Sequence, residues 1–486
     1  MTVTPFSQGI IDRWLRETFE KVDTNEHEDP NYYAYEPQVL ITSSRLLTFN
    51  IGTGHQLLKG VFTACEAADK EVIIVTCFWA KSQSRDDVIA LLHKLSDKAV
   101  RRGKGKINVR ICFSSFSIWQ KLMQTWKTKG AIYSPSSYWF SAWRRLGLPP
   151  PGSLPGLNLV VKSIFSGPFS VMHPKFVIID RKRAFLPSCN VSWEPWLEGC
   201  IEMEGKVVKG LFQFWDNFWS RAGPSLPESY LELDYGVVED TQALEIPPAT
   251  TIFHSSLSTL PPARVRTIVL PSPHHSGINP FSPQNCLLMA EKIVFPTPLN
   301  LFLLEIFNSA QTTVFVQTPN VTSQPVLDAL HSALRRGVDV RIITSSKLMI
   351  IEQLVTARTI TEVKLSQLRR KHRKLMKAYR INAAEDPEAQ MIKPGKLTIG
   401  YYHPKKGVDR KKEKEEPVKS HFKLTVVDDE IVVLGSGNMD RASWYTSQEL
   451  GVAFFSDELA AEIMQGATSC LKGRVRYLRC DNGEET

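Results

Sequence analysis

Apolar positions along the chain fall into blocks that switch between helical and strand spacing, and the order of the blocks recurs. Residues 56–76 read QLLKGVFTACEAADKEVIIVT, and residues 298–318 read PLNLFLLEIFNSAQTTVFVQT. Each opens with apolar residues at helical spacing, passes a small polar turn and ends in a β-branched run, the pattern of an amphipathic helix feeding a buried strand. A second helical block ending in arginines follows in both, VIALLHKLSDKAVRRG (88–103) and VLDALHSALRRG (326–337). Second strands come next, INVRICFSS (107–115) and VDVRIITSS (338–346), and third strands later, LNLVVKSI (157–164) and KLTIGYY (396–402). Alternation of strand and helix with short links predicts parallel strands covered by helices, an α/β class. The self-similarity makes it a two-repeat chain.

Around the repeats, Phe6, Ile10, Ile11, Trp14, Leu15 and Phe19 mark an amphipathic opening helix, expected to dock onto the protein's own core. Residues 222–297 are rich in Pro, Ser and Thr without periodicity and read as a linker or long excursion. His254, His274 and His275 lie there without cysteine or acidic neighbours and are expected to be exposed loop residues. The expected division is 1–49 (opening helix and extension), 50–221 (first repeat), 222–294 (linker), 295–475 (second repeat, with a basic insertion about 350–420) and 476–486 (tail).

Composition narrows the class. With 486 residues, 43% hydrophobic and 22% charged, the chain is globular rather than disordered or fibrous. The first residues lack a basic-then-apolar pattern, and no run of about 18 apolar residues occurs. No signal peptide or transmembrane helix is expected, which suits an intracellular protein, cytosolic or peripheral on an organelle membrane. Eight scattered cysteines without CxxC spacing read as free thiols, and neither a metal site nor a cofactor is expected. The net charge of +9 is local: residues 341–420 hold 20 Lys and Arg against 9 Asp and Glu, and the rest of the chain sums to −2. That asymmetry points to an anionic partner.

Each repeat then reaches the same constellation. The first is His173-Pro-Lys175-Phe-Val-Ile-Ile-Asp180 followed by Ser188-Cys-Asn190; the second is His421-Phe-Lys423-Leu-Thr-Val-Val-Asp428 followed by Ser436-Gly-Asn438. Matching offsets within matching repeats are not an accident of composition. His and Lys two apart point to one side of a strand. A histidine can attack phosphorus or donate a proton, according to its protonation state. Lysine and asparagine supply a cation and amide donors for phosphoryl oxygens. Asp180 and Asp428 are expected to turn back and accept an N–H from the histidines. Serine can donate to phosphate or orient its neighbours. Two such half-sites, face to face, would give a nucleophile on one side of phosphorus and an acid on the other.

At these residues the chain resembles the phospholipase D superfamily, marked by a duplicated HxKxxxxD motif followed by GSxN. The resemblance covers about 50–220 and 295–475. It implies two pseudo-two-fold-related repeats, each a mixed β-sheet flanked by helices, packed into one bilobal body. It also implies a metal-independent ping-pong reaction through a phosphohistidine, with His173 as nucleophile and His421 as acid/base, the pseudo-symmetry leaving the reverse assignment open. His173, Lys175, Asp180, His421, Lys423 and Asp428 would be catalytic, and Ser188, Asn190, Ser436 and Asn438 would bind the substrate phosphate. The second copy, GSGNMDRASW (435–444), matches closely, whereas Pro187 stands in the first where glycine is usual. A family glutamate about a dozen residues after the asparagine has Glu449 and Glu202 as candidates, with Glu198 a further one.

The superfamily spans phospholipases, phosphatidyltransferases of cardiolipin-synthase type, endonucleases and tyrosyl-DNA phosphodiesterases; the last lack the motif aspartate. Residues 363–380, VKLSQLRRKHRKLMKAYR, form a basic helix suited to an anionic bilayer or a nucleic-acid backbone, and HPKKGVDRKKEKEEPVK after it reads as a disordered loop. Phe116, Trp119, Trp126, Tyr133, Tyr138, Trp139, Phe140 and Trp143 crowd an insertion before the first motif, suited to a lipid-facing surface or to base stacking. The expectation is a phospholipid substrate and an anionic membrane surface, in a monomer that forms the complete site. A nuclease and a non-catalytic lipid-binding scaffold are the alternatives.

Overall fold

The computed structural model describes residues 3–117, 120, 130–133, 142–165, 171–221, 251–260, 264–273, 295–386, 391–405 and 416–478. The strands up to the middle of the chain are β1 (Ile41–Thr53), β2 (Glu71–Phe78), β3 (Ile107–Ser115), β4 (Ala131–Ile132), β5 (Leu157–Ser163), β6 (Phe176–Ile179), β7 (Arg183–Pro187), β8 (Trp196–Glu204) and β9 (Phe253–Ser256). Those after it are β10 (Val265–Ser272), β11 (Thr313–Gln317), β12 (Asp339–Ser345), β13 (Leu397–Tyr402), β14 (Lys419–Ser420), β15 (Leu424–Val427), β16 (Ile431–Gly435), β17 (Glu449–Phe455) and β18 (Val475–Tyr477).

In the first half β2, β3 and β5 run parallel, and β6, β7 and β8 follow as an antiparallel meander bonded to β2. The second half repeats the plan: β11, β12 and β13 are parallel, and β15, β16 and β17 form the meander against β11. This is the expected mixed sheet, built twice. Flanking helices start on caps that satisfy otherwise free backbone N–H groups. Thr53 and Gln56 form a capping box for the helix Gly54–Cys65, and Thr297 caps its counterpart Pro298–Ser309.

Two strands stitch the halves together. β1 pairs through Ile41–Ser44 with β10 and through Arg45–Thr53 with β8. β10 pairs in turn with β17, so it stands to β17 as β1 stands to β8. Residues 222–294 were expected to be a linker, yet Val265–Ser272 is a strand of the second sheet, and the first sheet already begins at Ile41. The strand is buried at almost every position. It therefore lacks the two-residue alternation that a half-buried strand shows.

The seam between the halves is apolar. Phe422, between His421 and Lys423, is 2% exposed and lies 6.2 Å from Phe49, ring to ring. A Cβ on Gly199 would fall 2.2 Å from that ring, so the bare glycine lets the second motif lie against β8. The opening helix Pro5–Glu20 buries Ile10, Ile11 and Trp14. Trp14 meets Phe302 edge-on at 5.7 Å and donates its indole N–H to Pro298 O, which is docking onto the protein's own core.

Other expectations fare unevenly. Tyr133, Trp143 and Leu148 are buried, and Tyr133 stacks on Phe113, so these members of the aromatic insertion are core rather than a lipid-facing surface. Trp119, Trp126, Tyr138, Trp139 and Phe140 lie outside the described residues, as do His274, His275, Cys286, Cys480 and residues 406–415 of the charged loop. His254 is exposed on β9, its Nδ1 2.7 Å from Asn50 Oδ1. Cys65, Cys77, Cys112, Cys189, Cys200 and Cys470 are buried free thiols. The basic segment is the helix Thr361–Glu385, which buries Leu365, Leu368 and His372. Among the described residues no helix is long and apolar enough to cross a membrane.

Candidate active site

Each motif histidine stands just before a meander strand, where the chain crosses to the opposite half. His173 N donates to Gln448 O and His421 N donates to Leu197 O, both at 2.9 Å. β14, immediately before His421, pairs in parallel with β8, and Met172 bridges Gln448 in the same sense. The backbone thus delivers each histidine to the other half's last meander strand. There a glutamate receives it. His173 Nδ1 lies 3.0 and 2.9 Å from the two Glu449 carboxylate oxygens, and His421 Nδ1 lies 2.7 Å from Glu198 Oε1.

The serines hold those glutamates. Ser188 Oγ donates to Glu198 Oε2 and Ser436 Oγ to Glu449 Oε2, each at 2.5 Å. Each serine also accepts a backbone N–H from the glutamate's strand, Gly199 N and Leu450 N, at 3.0 Å. Of the two roles open to serine in the sequence, these contacts fit the orienting one, and both hydroxyl protons are committed. Glu202 instead accepts from Thr48 and pairs with Arg183, so Glu198 is the counterpart of Glu449. The connection after Asn190 is three residues shorter than that after Asn438, which shifts the glutamate in the sequence but not in the register.

The lysines are interior. Lys175 is 2% and Lys423 4% exposed. Lys175 Nζ donates to His173 O at 2.7 Å and Lys423 Nζ to His421 O at 2.6 Å. Burial lowers the pKa of both, and it pushes Lys423 down to about 7 despite the nearby Glu198. Burial likewise lowers His173 and pushes His421 down to about 3, so both imidazoles are neutral at neutral pH. The paired glutamates act the other way: burial raises them, but the facing lysines and the hydrogen bonds from the imidazoles and serines outweigh it and hold both low, Glu198 at about 2. The charge of Lys423 reaches His173 and that of Lys175 reaches His421. The two motifs therefore share one electrostatic site.

The aspartates lie elsewhere. Seven residues of extended chain carry them roughly 20 Å from the histidines, to the tight turns joining β6 to β7 and β15 to β16. Asp180 and Arg181 (φ 49° and 55°) and Asp428 and Asp429 (both φ 52°) take the left-handed conformation there, within the short loops between the pairs Ile179–Arg183 and Val427–Ile431, a backbone region that favours Asp, Asn or Gly. Asp180 accepts the backbone N–H groups of Asp69, Lys70 and Glu71. Asp428 accepts those of Gln311, Thr312 and Thr313. The expected aspartate–histidine contact is not made, and the motif aspartates are turn-builders that tie each meander to the start of β2 or β11.

Asn190 and Asn438 make contacts within their own halves. Asn190 Oδ1 accepts Phe78 N at 3.3 Å. Asn438 Nδ2 donates to Asp440 at 3.2 Å, and its Oδ1 is buried without a partner among the described residues. The halves are not identical. Ser443 Oγ adds a 2.6 Å donation to Glu449, and Asp440 caps the short helix Arg441–Tyr445, whereas Ser192 and Pro195 stand at the matching places in the first half. Lys423 Nζ also lies 2.8 and 2.9 Å from the two His421 ring nitrogens, and Trp196 packs on that ring at 4.8 Å. The His173 side chain is 12% exposed against 3% for His421, and no described residue bonds its Nε2. Motif spacing does not single out Ser443, Asp440 or Trp196; the family-like run 435–444 is the available signal for the first two.

Residues 303–470 match the family model described as "Cardiolipin synthase, PLD-like domain". No curated protein matches the sequence. Among solved structures, phosphatidylserine synthase from Haemophilus influenzae Rd KW20 is similar at a TM-score of 0.50 and 12% identity, covering 91% of this chain and 90% of that one. The phospholipase D family member Nuc from Salmonella typhimurium covers 37% of this chain and 90% of its own, at 16% identity and a TM-score of 0.26. The first likeness supports the two-repeat α/β fold.

Proposed function

We propose that the chain, which carries a match to a phospholipase D-like family model over residues 303–470, is a phospholipase D-superfamily enzyme that cleaves or exchanges a phospholipid head-group diester through a phosphohistidine. The observation that carries this reading is the crossed pairing: each histidine's Nδ1 is held by a glutamate of the opposite half. With Nδ1 held, Nε2 is the atom left for chemistry on His173, while that of His421 lies 2.9 Å from Lys423 Nζ.

In the first step the neutral His173 attacks phosphorus through Nε2. An N–P bond forms as the P–O bond to the leaving alcohol breaks, and His421 gives its proton to the departing oxygen. In the second step His421 takes a proton from water or an acceptor alcohol. That oxygen attacks phosphorus and the N–P bond breaks, restoring both imidazoles. The exposure difference and the open Nε2 of His173 favour this division of roles. His421 must carry a proton in the first step, although burial keeps the empty ring neutral. A bound phosphodiester anion adds its charge to that of Glu198 and offsets the burial penalty. Lys175, Lys423 and the Asn190 amide supply positive charge and donors for the phosphoryl oxygens.

The test is incubation with a panel of head-group-labelled phospholipids, with and without glycerol, beside labelled single-stranded DNA. Head-group release, diverted into a glycerol adduct when glycerol is present, is the expected result. DNA cleavage without phospholipid turnover would keep the two-histidine chemistry and overturn the lipid substrate.

A further inference from the structure

The helix Ile350–Ala357 turns its aliphatic side chains away from the protein. Ile351 is 80%, Leu354 50% and Val355 51% exposed, while its one buried residue is the polar Gln353. Gln353 Nε2 donates to Leu348 O at 2.6 Å, and its Oε1 accepts from the N–H and hydroxyl of Thr361 at 2.8 Å each. A surface helix ordinarily buries its apolar stripe and shows water its polar one. Here the polar residue is the anchor and the apolar ones face out.

Its position is as telling as its orientation. The residues leading into it touch those before His421: Ser345 Oγ donates to Ser420 O at 2.7 Å, and Lys419 Nζ to Ser346 O at 2.6 Å. Left-handed residues at both ends, Met349 and Arg358 (φ 52° each), bend the chain sharply and present the helix as a short knob. In the first half, the loop after Asn190 carries Trp193, 62% exposed and braced edge-on by Phe78 at 5.9 Å. Lys347 and Arg358 flank the knob at the surface, and the helix that follows exposes Arg370, Lys371, Lys374 and Lys377. Aliphatic residues flanked by cations complement the boundary between anionic head groups and acyl chains, and tryptophan favours the same depth.

We propose that Ile351, Leu354 and Val355 insert into the surface of an anionic bilayer, with Trp193 as a second contact, and so bring the catalytic site to its substrate. This inference rests on the phospholipid reading above. The test compares the full chain with the triple variant Ile351→Ser, Leu354→Ser, Val355→Ser in co-sedimentation with phosphatidylglycerol/phosphatidylcholine vesicles. Hydrolysis of bis(p-nitrophenyl) phosphate, a soluble diester that needs no surface, is measured beside it. The expected result is vesicle binding weakened roughly tenfold or more with soluble-diester turnover unchanged. Unchanged vesicle binding overturns the proposal. So does a concentration-dependent dimer that the variant dissociates, which assigns the face to a second copy of the chain. Should the triple variant fold poorly, Leu354→Cys carrying an environment-sensitive fluorophore, with labelled wild type as background, replaces it: a blue shift on adding vesicles supports insertion, and no shift overturns it. Vesicle binding through these residues without turnover of phospholipid in detergent micelles would leave the docking surface standing and sink the substrate reading alone.

Discussion

His173 of the first half is held at 2.9 Å by Glu449 of the second. The bond fixes the ring through Nδ1, leaving Nε2 without a partner among the described residues, and it places a counter-charge behind the imidazole. Replacing Glu449 by Gln, or Glu198 by Gln, keeps the shape and removes the charge. Single-turnover rates should fall on the order of a hundredfold or more, with circular dichroism unchanged. Wild-type rates in either variant would deny the glutamates their part in the chemistry.

The two histidines should separate in a trapping experiment. After acid quench, His173→Ala should yield no labelled protein adduct with any substrate. His421→Ala should still form one with a p-nitrophenyl leaving group, which needs little protonation, and should fail with a poor leaving group. An adduct in the double variant, or full activity in either single one, would refute the shared site.

Asp180 and Asp428 should behave as turn residues. Alanine at either position strands three backbone N–H groups and sits badly at positive φ, so urea unfolding should report a loss of about 2–4 kcal/mol. Asparagine tolerates that backbone conformation and should cost less. Folded molecules of the asparagine variants should still form the phosphohistidine. Failure to do so at undiminished stability would return these residues to the catalytic set.

Lys423 gives a pH signature in stability. Its folded-state pKa is lowered by burial to about 7 from the ordinary lysine value of 10.5. Between those values the unfolded chain holds a proton that the folded chain does not. Unfolding therefore takes up a proton, and stability from this group rises as pH climbs from about 7 toward 10. Urea midpoints across that range should rise for the wild type and lose this part of the slope in Lys423→Met. Equal slopes would show that the lysine titrates normally.

Excess EDTA should leave turnover intact, because Lys175 and Lys423 are positioned to supply positive charge at the phosphate. Loss of activity that Mg²⁺ or Zn²⁺ restores would contradict the mechanism.

The duplicated plan was legible because a helix followed by a β-branched strand leaves a strong periodic trace, and the paired motifs mark equivalent points in each copy. What escaped was whatever depends on partners distant in the chain. β10 is wedged between β1 and β17, so its residues show no alternation. Glu198 ranks behind Glu202 in the sequence because its connection is shorter than that before Glu449, and its contacts with Ser188 and His421 select it. Asp180 looked like a histidine partner because spacing alone cannot tell a strand that runs straight on from one that doubles back. The outward face of the helix Ile350–Ala357 could not be told from an ordinary core stripe until the anchoring role of Gln353 was visible.

Crossed pairing also constrains how such a chain can change. Position 173 is tied to 449 and position 421 to 198, so a substitution in one copy is judged by its effect on the other. A single repeat standing alone would carry a histidine without its glutamate, and would become complete only by meeting a twin. Once both copies lie in one chain, symmetry is no longer required of them. Pro187 opposite Gly435, and Ser192 opposite Asp440, are where that freedom has been used. At the four crossed positions, by contrast, a change on one side leaves its partner in the other copy unmatched.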